Sequence, residues 1–105
     1  EIYYNNAPEI PVDYSLSQNF PNPFNPSTSV QFTVPAAGLV TVKVFDMLGQ
    51  EVASLFSGNA ERGTYNLVWN GRDNSGNIIS SGSYIYRMTA KDGAFTMSKK
   101  MMFLK

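Results

Sequence analysis

One spacing recurs along most of this chain. Val30, Phe32 and Val34 alternate with Ser29, Gln31 and Thr33, and Val40, Val42 and Val44 alternate with Thr41 and Lys43. Tyr65, Leu67 and Trp69 repeat the pattern, as do Tyr84, Tyr86, Met88 and Ala90. A period of two places every second side chain on one face of a half-buried strand. No stretch shows helical spacing. Turn formers interrupt the alternation about every ten residues, as in all-β sandwiches. They are Pro35-Ala36-Ala37-Gly38, Asp46-Met47-Leu48-Gly49, the loop Gly58 to Gly63, Gly71 to Asn77, Ser80-Ser81-Gly82 and Lys91-Asp92-Gly93-Ala94. Asp46 to Gly49 reads as a type I turn with Gly49 at the positive-φ position, so Glu51 to Phe56 returns as a hairpin partner. Ile78-Ile79 is expected to form one very short strand and Phe95 to Leu104 the last one. These runs predict an all-β fold, an Ig-like antiparallel β-sandwich of about seven strands with Trp69 as its central core ring. The last strand breaks phase. Phe95 and Met97 share a face, but Met102 and Leu104 have the opposite parity, which predicts a bulge near Lys99-Lys100 or a strand covered on both faces.

A second feature sits ahead of the first long strand, at Phe20-Pro21-Asn22-Pro23-Phe24-Asn25-Pro26. Pro21, Pro23 and Pro26 fix three φ angles, remove three donors and bias the residues before them away from helix. The stretch fits neither a helix nor a central strand. Two large rings, Phe20 and Phe24, would be wasted on a plain linker. The segment is expected to stiffen the approach to the first strand, with Phe24 plugging the open end of the sandwich and Asn22 and Asn25 satisfying local backbone groups.

At 105 residues the chain makes one domain with one core. It has no Cys and no His, which excludes a disulfide framework, thiolate chemistry and a Ser-His-Asp triad. Its acids, among them Asp13, Asp46, Glu51, Glu61, Asp73 and Asp92, fall at predicted turns and strand ends rather than as a pair across a cleft. No enzymatic activity is expected. Eight basic residues balance eight acidic ones, leaving no field to draw nucleic acid. No apolar run approaches the ~20 residues of a membrane-spanning helix. Asp73-Asn74-Ser75-Gly76-Asn77 spaces oxygens as a calcium loop does, but it lacks the sixth-position glycine and the distal glutamate. A hairpin turn uses the same residues, and no metal or cofactor is expected. Tyr3, Tyr4, Tyr14, Tyr65, Tyr84 and Tyr86 could stack on sugars, yet rings at strand spacing are expected in a core.

Residues 1–13 differ in character. Asn5-Asn6-Ala7-Pro8 and Pro11 suggest an N-terminal arm or linker, while Ile2, Tyr3, Tyr4, Ile10 and Val12 are apolar. Such an arm lies along its own domain or adds to the sheet edge of a neighbour, giving self-association through residues 1–13.

Tyr14 to Thr28, with Asn22-Pro23-Phe24-Asn25-Pro26 at its centre, resembles the opening of type A C-terminal sorting domains of type IX secretion cargo. Trp69-Asn70-Gly71-Arg72-Asp73 and Gly82-Ser83-Tyr84-Ile85-Tyr86-Arg87 resemble the middle of that domain and of the Ig-like domain of flagellar hook-capping proteins. Lys99-Lys100-Met101-Met102-Phe103-Leu104-Lys105 resembles the sorting domain's terminal block. The departures are Phe20 where Tyr is common, Met88 where Leu is expected and Phe103 in place of an aliphatic residue. The resemblance implies that residues 14–105 form an Ig-like sorting domain. It implies a non-catalytic role in carrying an upstream cargo domain through the periplasm and across the outer membrane to the cell surface or medium. The implied partners are the outer-membrane translocon and, in many relatives, a sortase-like peptidase. Lys99, Lys100, Met101 and Lys105 are the implied recognition residues. A secretory leader is not evident, and such a domain would end a longer precursor. The alternatives are a self-assembling extracellular subunit, the flagellar hook-capping domain, which lacks the terminal Lys-Lys-Met block in the final position, or a carbohydrate-binding or accessory module of an exported hydrolase.

Overall fold

Each alternating run buries its apolar half against the other sheet. The computed structural model describes residues 11–105, and among these it forms β1 (Ser15–Leu16), β2 (Thr28–Val34), β3 (Gly38–Phe45), β4 (Glu51–Ala60), β5 (Gly63–Trp69), β6 (Gly82–Ala90) and β7 (Phe95–Phe103). They pair antiparallel in two sheets, β1-β2-β5 and β4-β3-β6-β7. Val30, Phe32 and Val34 of the first sheet meet Val40, Val42, Val44, Tyr86 and Met88 of the second in one continuous core. This is an all-β, Ig-like antiparallel sandwich. No helix among the described residues is long and apolar enough to cross a membrane. The expected arm lies outside the described residues except for Pro11 to Asp13, where the Asp13 carbonyl accepts a hydrogen bond from Thr33 Oγ1 at 2.8 Å.

The structure revises several strand expectations. Ile78-Ile79 is not a strand. Ile78 makes a single bridge to Arg72, and the Ile79 amide donates to Gly71 O at 2.9 Å. That loop folds onto the edge of β4 instead, where the Asn74 amide donates to Val52 O and Asn74 Oδ1 accepts from the Ser54 amide. The very short strand is β1, which pairs with Thr33 and Phe32 and buries Leu16. Gly58, Asn59 and Ala60 extend β4 rather than forming a loop, because the first residues of β3 pair with them and Ala60 enters the core.

The predicted phase break in β7 does not occur. Its register with β6 runs unshifted from Gly82↔Phe103 to Ala90↔Phe95. Met101 and Phe103 carry the inward face to the end of the strand, and Met102 and Leu104 stay exposed. The register shifts that do occur lie between β3 and β4, flanking Lys43-Val44.

Tyr86 is fully buried, and its hydroxyl donates to Ser17 O at 2.6 Å, tying the second sheet to the chain leaving β1. Burial pushes its pKa from 10.0 up to about 12. The unfolded chain therefore loses this proton first as pH rises. The contribution is intact below about pH 10 and disappears as pH climbs through about 12. Urea unfolding at stepped alkaline pH should show stability falling across that window, with a shallower fall in Tyr86→Phe. An identical slope in the variant would assign the alkaline loss to other groups.

Candidate functional site

The outer edge of β7 is where the two most distinctive pieces of sequence meet. An edge strand leaves every second residue's N–H and C=O without a partner. In β7 these groups belong to the even-numbered residues, and Gln18 and the proline-rich segment bind them at the end of the strand, from Lys100 O to the Leu104 amide. Gln18 Nε2 donates to Lys100 O at 2.8 Å. Asn22 Oδ1 accepts from the Met102 amide at 2.9 Å. The Phe24 amide donates to Met102 O at 3.0 Å, and Phe24 O accepts from the Leu104 amide at 3.1 Å. Phe24 and Phe103 thus form a one-residue parallel bridge.

The cap is held in shape by polar contacts within its own loop. Asn19, almost fully buried, donates through Nδ2 to Pro21 O and Thr28 Oγ1 at 3.1 and 3.0 Å. Buried Thr28 donates from Oγ1 to the same carbonyl at 2.9 Å. Phe20 and Ser29 exchange backbone bonds at 2.9 Å in each direction. Every buried side-chain nitrogen and oxygen among the described residues has a partner. That condition lets a proline-rich loop lie against a core without the cost of unpaired polar groups.

Beneath the cap, Phe24 is 1% exposed and packs against Trp69 and Phe103 with ring centroids 5.6 and 5.0 Å away. Trp69 Nε1 donates to Arg72 O at 2.9 Å, and Tyr84 meets the indole edge-on. Burial, with the Asp46 charge secondary, raises the Tyr84 pKa. Gly71 lies beside the same cluster at φ +73°, where a Cβ would approach the Phe103 ring to 3.1 Å. Gly82 pairs with Phe103 in the β6–β7 ladder. Asn22, Phe24, Trp69, Gly71, Gly82 and Tyr84 therefore converge on the end of β7. Pro23, Asn25 and Pro26 lie exposed above them.

The remaining sequence candidates are placed differently. Asn22 was expected to satisfy nearby backbone, but it serves a residue eighty positions away. Asp73 Oδ1 accepts from the Ser75 and Asn77 amides, both at 2.9 Å, so its carboxylate organises the hairpin turn. Tyr84 and Tyr86 are core residues, Tyr65 stacks on Phe32, and Tyr14 stacks on Phe95. Tyr3 and Tyr4 lie outside the described residues.

The recognition set divides as well. Met101 is 1% exposed, so its side chain is part of the core rather than a contact surface. Lys99 and Lys100 leave β7 on opposite faces, Lys99 half-buried on the inner side and Lys100 exposed on the outer. Lys105 is exposed, and its amide donates to Ser81 Oγ at 2.8 Å. The cations that share the outer sheet face with Lys100 are Arg87 and Lys43, which register places side by side on β6 and β3. Arg87 lies 5.0 Å over the Phe45 ring, its Nε donates to Ser98 Oγ, and Lys43 pairs with Glu51 at 3.3 Å.

The profile of the FlgD Ig-like domain matches residues 22–94, from the cap motif through the turn that precedes β7. The chain belongs to the FlgD Ig-like domain family. Among solved structures, this FlgD-type domain is similar to the dimeric latent PorU of Porphyromonas gingivalis, with a TM-score of 0.69 and 23% identity over 83% of this chain and 9% of PorU. It is similar to FlgD of P. aeruginosa, with a TM-score of 0.55 and 24% identity over 72% of this chain and 59% of FlgD. It is also similar to PorZ of Porphyromonas gingivalis, with a TM-score of 0.55 and 22% identity over 88% of this chain and 11% of PorZ. The chain spans less than two thirds of each of these proteins, and at these identities the likeness is one of fold. No curated protein matches it.

Two substitutions separate the parts of the cap. Phe24→Ala should cost about 3–5 kcal/mol, the usual range for emptying a buried ring site. Asn22→Ala removes one hydrogen bond at a partly solvated edge and should cost about 0.5–1.5 kcal/mol. Amide exchange should then accelerate at Met102 while the β6-facing amides of β7 keep their protection. Equal acceleration along all of β7 would mean that the bond holds the strand itself rather than its edge.

Proposed function

We propose that this domain is a non-catalytic C-terminal sorting domain that directs an attached cargo across the outer membrane by type IX secretion. The observation that carries this reading is the union of two sequence blocks in one surface. The Asn22 to Pro26 motif and the terminal Lys99 to Lys105 block, far apart in sequence, are bonded strand to cap. A receptor reading the end of β7 would meet the proline-rich segment at the same time. PorZ, an essential bacterial surface component of the type IX secretion system of Porphyromonas gingivalis, contains a region of the same fold, which supports the reading. The domain performs no chemistry, and its work is recognition. The proposed contact is the capped edge and the adjoining outer face. Exposed Met102 and Leu104 supply the apolar part, Lys100, Arg87 and Lys105 the charge, and the rigid cap the shape. The proposed partners are the outer-membrane translocon and a sortase-like peptidase, and the proposed destination is the cell surface or medium.

A reporter carrying a periplasmic signal, fused ahead of this domain and expressed in a bacterium with a working type IX system, tests both parts. The wild-type fusion should reach the outside. Lys100→Glu should retain the reporter in the periplasm with the domain's melting midpoint within a few degrees of wild type, since surface substitutions cost about 0.5 kcal/mol or less. Lys99→Glu, on the opposite face of the strand, should have the smaller effect on export. Normal export of the Lys100→Glu fusion would remove that lysine from the contact. Retention of the wild-type fusion in a strain that exports its own cargo would remove the sorting role.

A further inference from the structure

The sheet edges are managed unequally. The cap covers the end of β7 from Lys100 onward, Asn74 binds the start of the β4 edge at Val52 and Ser54, and β1 is only two residues long. The far edge of the three-stranded sheet, β5, has no such cover at any point among the described residues. Ser29 and Gln31 of β2 direct their backbone groups toward Phe20 and Ser17, so Thr28, Val30, Phe32 and Val34 direct theirs toward β5. Register pairs those four with Trp69, Leu67, Tyr65 and Gly63. The N–H and C=O groups of Thr64, Asn66 and Val68 therefore face away from the sheet. Among the described residues no backbone or side-chain group bonds to them. All three side chains are exposed, Val68 by 72%. The strand, Gly-Thr-Tyr-Asn-Leu-Val-Trp, holds no charge and no proline, the residues that usually blunt such an edge.

We propose that β5 is a self-pairing edge, and that its occupant is the β5 strand of a second copy of this chain, added antiparallel about a two-fold axis through Asn66. In that register Thr64 lies opposite Val68 of the second copy and Asn66 lies opposite itself. Each pair exchanges both its N–H and its C=O. The strand suits its own copy. A two-fold interface sets a residue on the axis against itself, so a charge there would repel, whereas an amide both donates and accepts. The nearest charges in sequence, Arg62 and Arg72, lie beyond the two ends of the strand, and the chain as a whole is neutral. The two three-stranded sheets would then form one continuous sheet, leaving the β7 cap at each far side. This inference does not depend on the sorting role.

Sedimentation equilibrium of the whole chain from micromolar to millimolar concentration tests it, with amide exchange followed on the same samples. The mass should rise from 11.6 kDa toward about twice that value, as for a two-fold dimer. Protection of the Thr64, Asn66 and Val68 amides should rise with it. Val68→Lys places a blunting charge on the edge, and Asn66→Pro removes the central donor at an edge position where proline is tolerated. Val68→Lys should stay monomeric with an unchanged melting midpoint, and a folded Asn66→Pro should do the same. A mass fixed at that of the monomer overturns the proposal. So does a dimer that persists in Val68→Lys. So does protection of the three amides that is independent of concentration, because the edge would then be covered within a single chain.

Discussion

The backbone of Phe24, bonded on both sides to the end of β7, is the interaction on which the rest of this structure depends. A sandwich of two open sheets must deal with its edges, and an uncovered strand is a template for pairing with any other chain. Here the cover is a single strand-like residue flanked by prolines. Phe24 contributes one donor and one acceptor to the sheet and then buries its ring under the strand it has just bonded. Pro23 has no N–H to offer outward, so the cap ends the sheet rather than extending it. Stiffness, closure and an apolar plug are combined in one short segment. The buried Asn19–Thr28 pair is what allows that segment to turn back into β2 without leaving a carbonyl stranded.

The alternation of apolar and polar residues was enough to place β2, β3, β5 and β6, because each is half-buried and its two faces differ in chemistry. It failed where that difference disappears. Residues 101–104 are Met-Met-Phe-Leu, apolar on both faces, so parity there is fixed only by the unbroken register with β6. β1 is too short to show any period. Gly58 and Asn59 carry strong turn signals that pairing with β3 overrides, as tertiary context often does with weak local preferences.

The candidate site was legible as residue types but not as an arrangement. Phe24 reads as a plug and Trp69 as a core ring from their type and place in the sequence, whereas Gly71 reads only as a turn former, and its approach to the Phe103 ring is visible only in the fold. That all of them serve the last strand could not be read from spacing, since their partners lie far along the chain. The lysines show the converse error. Lys99 and Lys100 are neighbours in sequence and therefore point to opposite faces of a strand, whereas Lys43, Arg87 and Lys100 come from three strands and share one face. Adjacency in sequence separates side chains in a sheet, and register brings them together. Gln18 gave no signal at all, because its role is to reach a carbonyl more than eighty residues away.

That separation sets the order in which the domain can be completed. The cap is synthesised long before the edge it covers. Until β7 has formed on β6, Asn22 and Phe24 have no strand to bind, and the ring of Phe24 lacks one wall of its site. Contacts of such long range close late and slowly, because the loop entropy must be met before they return anything. The proline-rich segment finds its bonding partner only in the chain's own last strand. The surface in which cap and strand come together exists only on a domain whose folding has run to its end.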